Sequence, residues 1–274
     1  LFLQQYPIMM REFPRVGNLG YMCEFVEESD LSENKIRPYK FICCNRTMSK
    51  PHRVTSAYFA VKYDLLSEGL FSFIQKISKD NLLNNLRLLI DNPNKEYIEK
   101  IESILPYELD THHLKENEKS SFGVTNNKKE WYSESYINLV TETFFGKNVF
   151  LSEKIFKPIS NYQPFIVFGD YGTLAELKRL GFKTFEPFID ESYDLEINPK
   201  KRIQKIEKEI EKLKNKSIEE IHNWYYSIKD ILIFNREHLY NYYNGYECFK
   251  PILEKIKLDY ENETLWNLQE KKLL

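Results

Sequence analysis

Three short polar segments of this chain carry side chains that could bind an anionic ligand bearing hydroxyl groups. Each segment adjoins an apolar run typical of a buried strand, at residues 40–45, 135–142 and 164–168. Arginine and lysine bind phosphate groups, and a carboxylate accepts hydrogen bonds from sugar hydroxyls. The candidate binding residues are Asn45, Arg46, His52, Arg53, Thr141, Glu142, Glu153, Lys154, Lys157 and Gly169.

The order of strand-like and helical segments predicts the frame that positions these residues. Apolar runs alternate with helical patterns between residues 38 and 195, which is typical of an α/β fold with a parallel sheet. In an open parallel sheet, ligands bind beyond the carboxyl ends of the strands. Since Asn45, Thr141 and Gly169 lie at the ends of predicted strands, we expect them at one edge of the sheet.

The loop after the first strand leads into a predicted helix. Pro51 suits the first turn of a helix, and apolar residues continue at helical spacing to Leu65. The N–H groups at a helix N-terminus favour an anion, and Arg46 and Arg53 add guanidinium groups that bind phosphate. The alternative is a solvated polar loop. The chain has no Gly-x-Gly-x-x-Gly or Walker sequence, so side chains rather than a glycine-rich loop would hold a phosphate.

Two carboxylates stand beside the second and third strands. Glu142 could accept a hydrogen bond from a sugar or base hydroxyl, or it could cap a loop at the strand end. Ser152 is a good helix N-cap, and Glu153 suits the first turn that follows it. Lys154 fits that turn less well, because a cation near a helix N-terminus is slightly unfavourable unless it faces an anionic ligand.

Other polar clusters favour structural roles. The segment 190–194 contains three carboxylates at a spacing that matches no calcium loop, so we expect a cap or a hinge. His112 and His113 lack partners at metal-ligand spacing, which indicates a surface position. The four cysteines include no Cys-x-x-Cys pair, so neither a disulfide nor a zinc site is expected. No metal site is therefore predicted, and a reducing compartment is the default.

The overall composition limits the classes of partner. The chain has 274 residues and a formal net charge of −2, which argues against a nucleic-acid partner, although a local basic groove is compatible with it. No apolar stretch approaches the roughly 20 residues that a membrane span needs.

The C-terminal part of the chain has a different pattern. Isoleucines and a leucine between residues 203 and 213 form an apolar seam at helical spacing, and the charged residues of 200–216 are expected to form a solvated helix face. The seam could pack on the sheet or on another subunit.

The order of these motifs resembles the donor-binding domain of GT-B glycosyltransferases, in particular the α1,3-fucosyltransferase-like group with its viral and bacterial relatives. That group has a strand ending near an arginine, and later a Thr-Glu-Lys element leading to an apolar strand and a glycine. Here Ser152-Glu153-Lys154 stands in the place of Thr-Glu-Lys, and residues 163–169 stand in the place of the strand and its glycine.

This resemblance implies a domain organisation and an activity. Residues 38–198 would form a Rossmann-like, GT-B-type nucleotide-sugar domain, 1–37 the remnant or tail of an acceptor domain, and 199–274 a helical C-terminal region. The activity would be transfer of a sugar from a nucleotide-diphosphate sugar to a glycan, protein or other acceptor, with neither a tightly bound cofactor nor a metal. The protein would act in the cytoplasm, that of the host if the chain is viral, and its C-terminal helices could form an oligomer contact.

The resemblance also implies residue roles. Glu153 would bind the ribose of the donor. Glu142, at the end of the second strand, is the candidate catalytic base. The diphosphate would be neutralised by cations from two segments: Lys154 or Lys157, with Arg46 or Arg53. Three alternatives stay open: a non-catalytic nucleotide-binding or partner-binding module on a degenerate GT-B scaffold, another phosphoryl-handling or nucleotide-binding enzyme, and a DNA-modifying glycosyltransferase.

Overall fold

The computed structural model of the protein describes residues 26–109, 128–146 and 149–244, apart from the side chains of Glu153 and of residues 242–244. Four strands alternate with helices along these residues. The strands are β1 (Tyr39–Asn45), β2 (Gly69–Phe73), β3 (Ser135–Thr141) and β4 (Phe165–Phe168). The helices are α1 (Glu28–Ser32), α2 (Pro51–Lys62), α3 (Lys79–Arg87), α4 (Lys95–Ile104), α5 (Lys129–Ser133), α6 (Glu153–Ser160), α7 (Thr173–Arg179), α8 (Pro199–Lys214), α9 (Ile218–Ser227) and α10 (Lys229–Asn244).

The strands form one open, all-parallel sheet in the order β2-β1-β3-β4. This confirms the predicted α/β fold with a Rossmann-like parallel sheet. Every residue of β2, β3 and β4 is buried, so helices and loops cover both faces of the sheet. From β1 the chain forms β2 on one side, and then crosses over to form β3 and β4 on the other side of β1. The strand order therefore reverses between β1 and β3, and such a switch point is where open α/β sheets bind ligands.

Strand β2 is an element that the sequence pattern did not predict. Only five residues long, it begins with Gly69 and contains Ser72, so its apolar run is short. Gly69 is required by close packing, because a Cβ atom there would lie 2.9 Å from the carbonyl oxygen of Phe41 on β1. The apolar stretch at residues 181–185 predicts a further short strand, and this prediction is wrong. Gly181 has a φ of 93° and starts an irregular segment, whose Phe182 and Phe185 fill the core.

The C-terminal helices pack on the sheet domain. The apolar seam of α8 lies in the same core as the strands, so the seam packs on the sheet domain. Helix α9 contacts β1 and β3, and α10 contacts α6. No helix in the described ranges is long and apolar enough to cross a membrane. The apolar pattern also predicts a strand near residue 20 and a helix at 252–258. Both of these, and the histidine pair at 112–113, lie outside the described residues.

Candidate functional site

The switch point between β1 and β3 brings two predicted site residues together. Asn45 ends β1 and Thr141 ends β3, and the Thr141 hydroxyl donates a hydrogen bond to the Asn45 side-chain carbonyl. The Asn45 amide also donates to the hydroxyl of Ser56 on α2, at 3.1 Å. Both residues are buried, so they fix the floor of the site by joining the two strands and the helix.

Glu142 is the centre of a hydrogen-bonded knot at the end of β3. Its side chain is 0% exposed. The carboxylate accepts from the backbone N–H of Thr143 at 3.1 Å and from that of Ser152 at 3.2 Å. The Ser152 hydroxyl donates a third bond. Glu142 therefore ties the end of β3 to the N-terminus of α6, and its assignment as catalytic base stays a prediction.

His52 lies between Glu142 and the aromatic side chain of Phe145. Its Nε2 is 2.6 Å from the Glu142 backbone oxygen, and a carbonyl can only accept, so Nε2 carries the proton. The ring stacks on Phe145 with a centroid distance of 5.3 Å. Burial is the main cause that lowers the pKa of His52 to about 4, and the neighbouring charges of Arg53, Lys50 and Lys154 act in the same direction. Three cationic side chains thus lie around one buried, neutral histidine.

A pH experiment tests this arrangement. A histidine with a folded-state pKa near 4 and an unfolded-state pKa near 6.5 is protonated first in the unfolded chain, so its contribution to stability is complete above pH 6.5 and is lost as the pH falls toward 4. Relative to His52→Gln, the wild-type free energy of unfolding should fall by up to about 3 kcal/mol across that window. Urea unfolding at several pH values measures it, and parallel curves for the two proteins would contradict the buried neutral histidine.

The N-terminus of α2 carries cations and no acidic side chain. Its N-cap residue, Lys50, makes no side-chain cap bond, and no acidic residue lies in the first turn. Arg53 lies in this turn, largely buried, and donates from Nη1 to the hydroxyl of Thr47. Arg46 is exposed on the loop between β1 and the helix. The helix N-terminus, its cations and the end of β1 therefore meet at the predicted edge of the sheet.

The N-terminus of α6 faces the same edge. Ser152 caps the helix by accepting from the Lys154 N–H at 3.3 Å, which confirms the predicted N-cap. The Lys154 ammonium reaches back to the β3 side of the site and donates to the Thr143 hydroxyl at 3.1 Å. Lys157 lies one turn further on, on the same face of the helix. The side chain of Glu153 lies outside the described part of the structure, so its predicted role in binding ribose stays a prediction.

Gly169 follows β4 and marks the other end of the edge. A Cβ atom at this position would lie 2.9 Å from Val167 Cγ1 and 2.9 Å from Thr173 Oγ1, so close packing requires glycine. Its carbonyl accepts a hydrogen bond from Arg202 of α8 at 2.9 Å. Arg202 is 1% exposed and Glu209 is 4% exposed, so the expectation of a solvated face for 200–216 is wrong at these two residues. The charged pattern around them gave no signal of their burial.

Exposed aromatic residues at the same edge were not predicted from the sequence either. Phe144, in the segment after β3, is 51% exposed, and the ammonium of Lys50 lies 5.8 Å from its ring centroid. The ring packs edge-on against Phe150. Tyr171, in the turn after β4, is also about half exposed. An aromatic face beside lysines suits the base and phosphates of a nucleotide.

The acidic segment 190–194 has the structural role expected of a cap. Asp194 accepts from the N–H groups of Leu174 and Ala175, both at 2.9 Å, and so caps α7. Glu191 accepts from Thr184 and from the Phe185 N–H. Within the described ranges, no group of three or more His, Cys, Asp or Glu side chains could hold a metal ion.

These residues therefore define a cationic site at the switch point of a Rossmann-like parallel sheet. No match to the chain was found among protein-family models, curated protein sequences or solved structures.

Proposed function

We propose that the protein is a glycosyltransferase that uses a nucleotide-diphosphate sugar as donor and binds its diphosphate at the β1–β3 switch point. The observation that carries the proposal is the placement of three cations about His52. Lys50 and Arg53 lie with it at the start of α2, and Lys154 bonds Thr143, in the same segment as the Phe145 ring that stacks on His52. These cations come from the N-termini of two different helices, both at the edge where open α/β sheets bind ligands.

The arrangement suits the chemistry of glycosyl transfer. As the bond between the sugar carbon and the phosphate oxygen breaks, negative charge grows on the departing diphosphate, and cations fixed nearby stabilise that charge. Lys154 and Arg53 are held by Thr143 and Thr47, so neither has to be ordered when the ligand arrives. The acceptor hydroxyl attacks the same carbon and loses its proton to a base, for which Glu142 is the candidate. A Rossmann-like sheet with this motif order supports assignment to the GT-B class.

Phe144 gives the nucleobase a stacking surface in this proposal. Because base–aromatic stacking contributes about 1–3 kcal/mol, Phe144→Ala should weaken binding of a nucleoside diphosphate by about tenfold. Binding of inorganic pyrophosphate, which has no base, should be unchanged. The control is Phe234→Ala, which removes another partly exposed ring with a lysine over it, on α10. Equal loss for pyrophosphate and nucleotide in Phe144→Ala would contradict stacking.

Turnover tests the activity itself. Incubation of the protein with UDP-, GDP- and CDP-sugars, with and without candidate glycan or protein acceptors, should release the nucleoside diphosphate from one donor class. Absence of release from every donor, together with tight binding of one nucleotide, would favour the second candidate below.

The second candidate is a non-catalytic nucleotide-binding module on the same scaffold. The burial of the Glu142 carboxylate and its three hydrogen bonds from Thr143 and Ser152 favour it, since these bonds suit a structural knot better than a base that exchanges protons. The two candidates agree on the ligand and differ only in turnover.

A further inference from the structure

Arg202 is a buried cation that contacts segments adjoining the candidate site. It lies in the first turn of α8, yet its guanidinium reaches the carboxyl edge of the sheet. Its Nε donates to the Glu196 carbonyl at 2.9 Å, Nη2 to the Ile197 carbonyl at 3.2 Å and Nη1 to the Gly169 carbonyl at 2.9 Å. At 1% exposure it cannot touch a ligand directly.

The guanidinium also reaches the segment after β3. It lies over the ring of Phe145, 5.2 Å from the centroid, and 3.9 Å from the Asp170 carboxylate. That carboxylate accepts from the N–H of Gly146. Arg202 and Asp170 thus hold residues 143–146 against the turn after β4. The same segment carries Thr143, the acceptor for Lys154.

A second buried arginine offers a comparison at the opposite end of the sheet. Arg37 is 5% exposed and donates to the carbonyls of Tyr132 and Ser135 and to the Tyr225 hydroxyl. It also lies over the Tyr225 ring, 4.2 Å from the centroid. Ser135 is the first residue of β3, so Arg37 is at the amino end of the strand, away from the candidate site. The two arginines are alike in burial and bonding and differ in location.

We propose that Arg202 is a positioning residue for the diphosphate site, holding the 143–146 segment so that Thr143 and Lys154 face the ligand. This inference rests on the proposed function, because the ligand is the diphosphate named there. A planar guanidinium is needed, since a lysine ammonium cannot bond three carbonyls in different directions while lying flat over Phe145.

The test compares Arg202→Lys with Arg37→Lys. Both variants should melt at a lower temperature than the wild type, because each loses buried hydrogen bonds. Calorimetric titration with inorganic pyrophosphate, well below either melting temperature, should show at least a tenfold loss of affinity in Arg202→Lys and less than a twofold change in Arg37→Lys. Amide exchange by NMR adds a readout without ligand, in which the Gly146 amide should exchange faster only in Arg202→Lys.

Equal pyrophosphate affinity in the two variants would overturn the inference, as would unchanged Gly146 exchange. If Arg202→Lys does not fold, Phe145→Leu replaces it, because it removes the ring contact from the side of the segment, and it should weaken pyrophosphate binding too. Failure of the wild type to bind pyrophosphate would instead refute the proposed function, and Gly146 exchange would still decide whether Arg202 holds the segment.

Discussion

Lys154→Met should weaken binding of a nucleoside diphosphate by about 10- to 100-fold, because a hydrogen bond to a charged group contributes roughly 1.5–3 kcal/mol. The same loss is expected for inorganic pyrophosphate, since the contact is to phosphate. The melting temperature should change little, because the Lys154 side chain is only partly buried and methionine keeps most of its apolar stem. Calorimetric titration measures the affinity, and a thermal melt measures the stability.

Lys183→Met is the matched control for this prediction. Lys183 is an exposed lysine beyond the end of α7, with its ammonium 4.0 Å from the Phe234 ring centroid. It carries the same charge, so its removal alters the net charge equally. Equal weakening by both substitutions would mean that the anion responds to overall charge and that Lys154 has no specific contact with it.

Glu142→Gln should produce the largest loss of stability among single substitutions at the site. The carboxylate accepts three hydrogen bonds, and a side-chain amide would turn an N–H₂ group toward donors of Thr143 or Ser152. Leaving buried donors unsatisfied costs about 1–3 kcal/mol each, so we expect a loss of roughly 2–3 kcal/mol. For a chain of this size the melting temperature should fall by about 5–10 °C.

Glu134→Gln is the control, because Glu134 is exposed and flanks β3 at its other end. It should leave the melting temperature within about a degree of the wild type, as substitutions at exposed positions usually do. A Glu142→Gln protein that melts like the wild type but no longer turns over the donor would contradict the structural knot, and it would identify Glu142 as the catalytic base.

Much of the frame was predictable from local sequence. Apolar runs ending in polar residues predicted β1, β3 and β4, and the helix signals at Pro51 and Ser152 marked the starts of the two helices at the site. Because parallel strands end at a common edge, that was enough to place Asn45 and Thr141 near each other.

The remaining features depend on tertiary structure. The switch point requires the strand order, which local periodicity does not contain, and β2 is too short and too glycine-dependent to stand out. Arg202 stands among lysines and glutamates of similar pattern, and its burial depends on the turn after β4, where the Gly169 carbonyl accepts its hydrogen bond. The hydrogen bonds at Glu142 likewise depend on tertiary structure, because Ser152 lies ten residues further along the chain.

The most direct measurement is a thermal-shift and calorimetric screen of the wild type and Lys154→Met against UDP, GDP and CDP. A ligand at 100 times its dissociation constant stabilises the folded state by about 2.7 kcal/mol, which raises the melting temperature by several degrees. We expect one diphosphate to shift the wild type selectively and to have little effect on the variant at the same concentration. No shift with any of the three, or an equal shift in both proteins, would contradict a diphosphate site at the β1–β3 switch point.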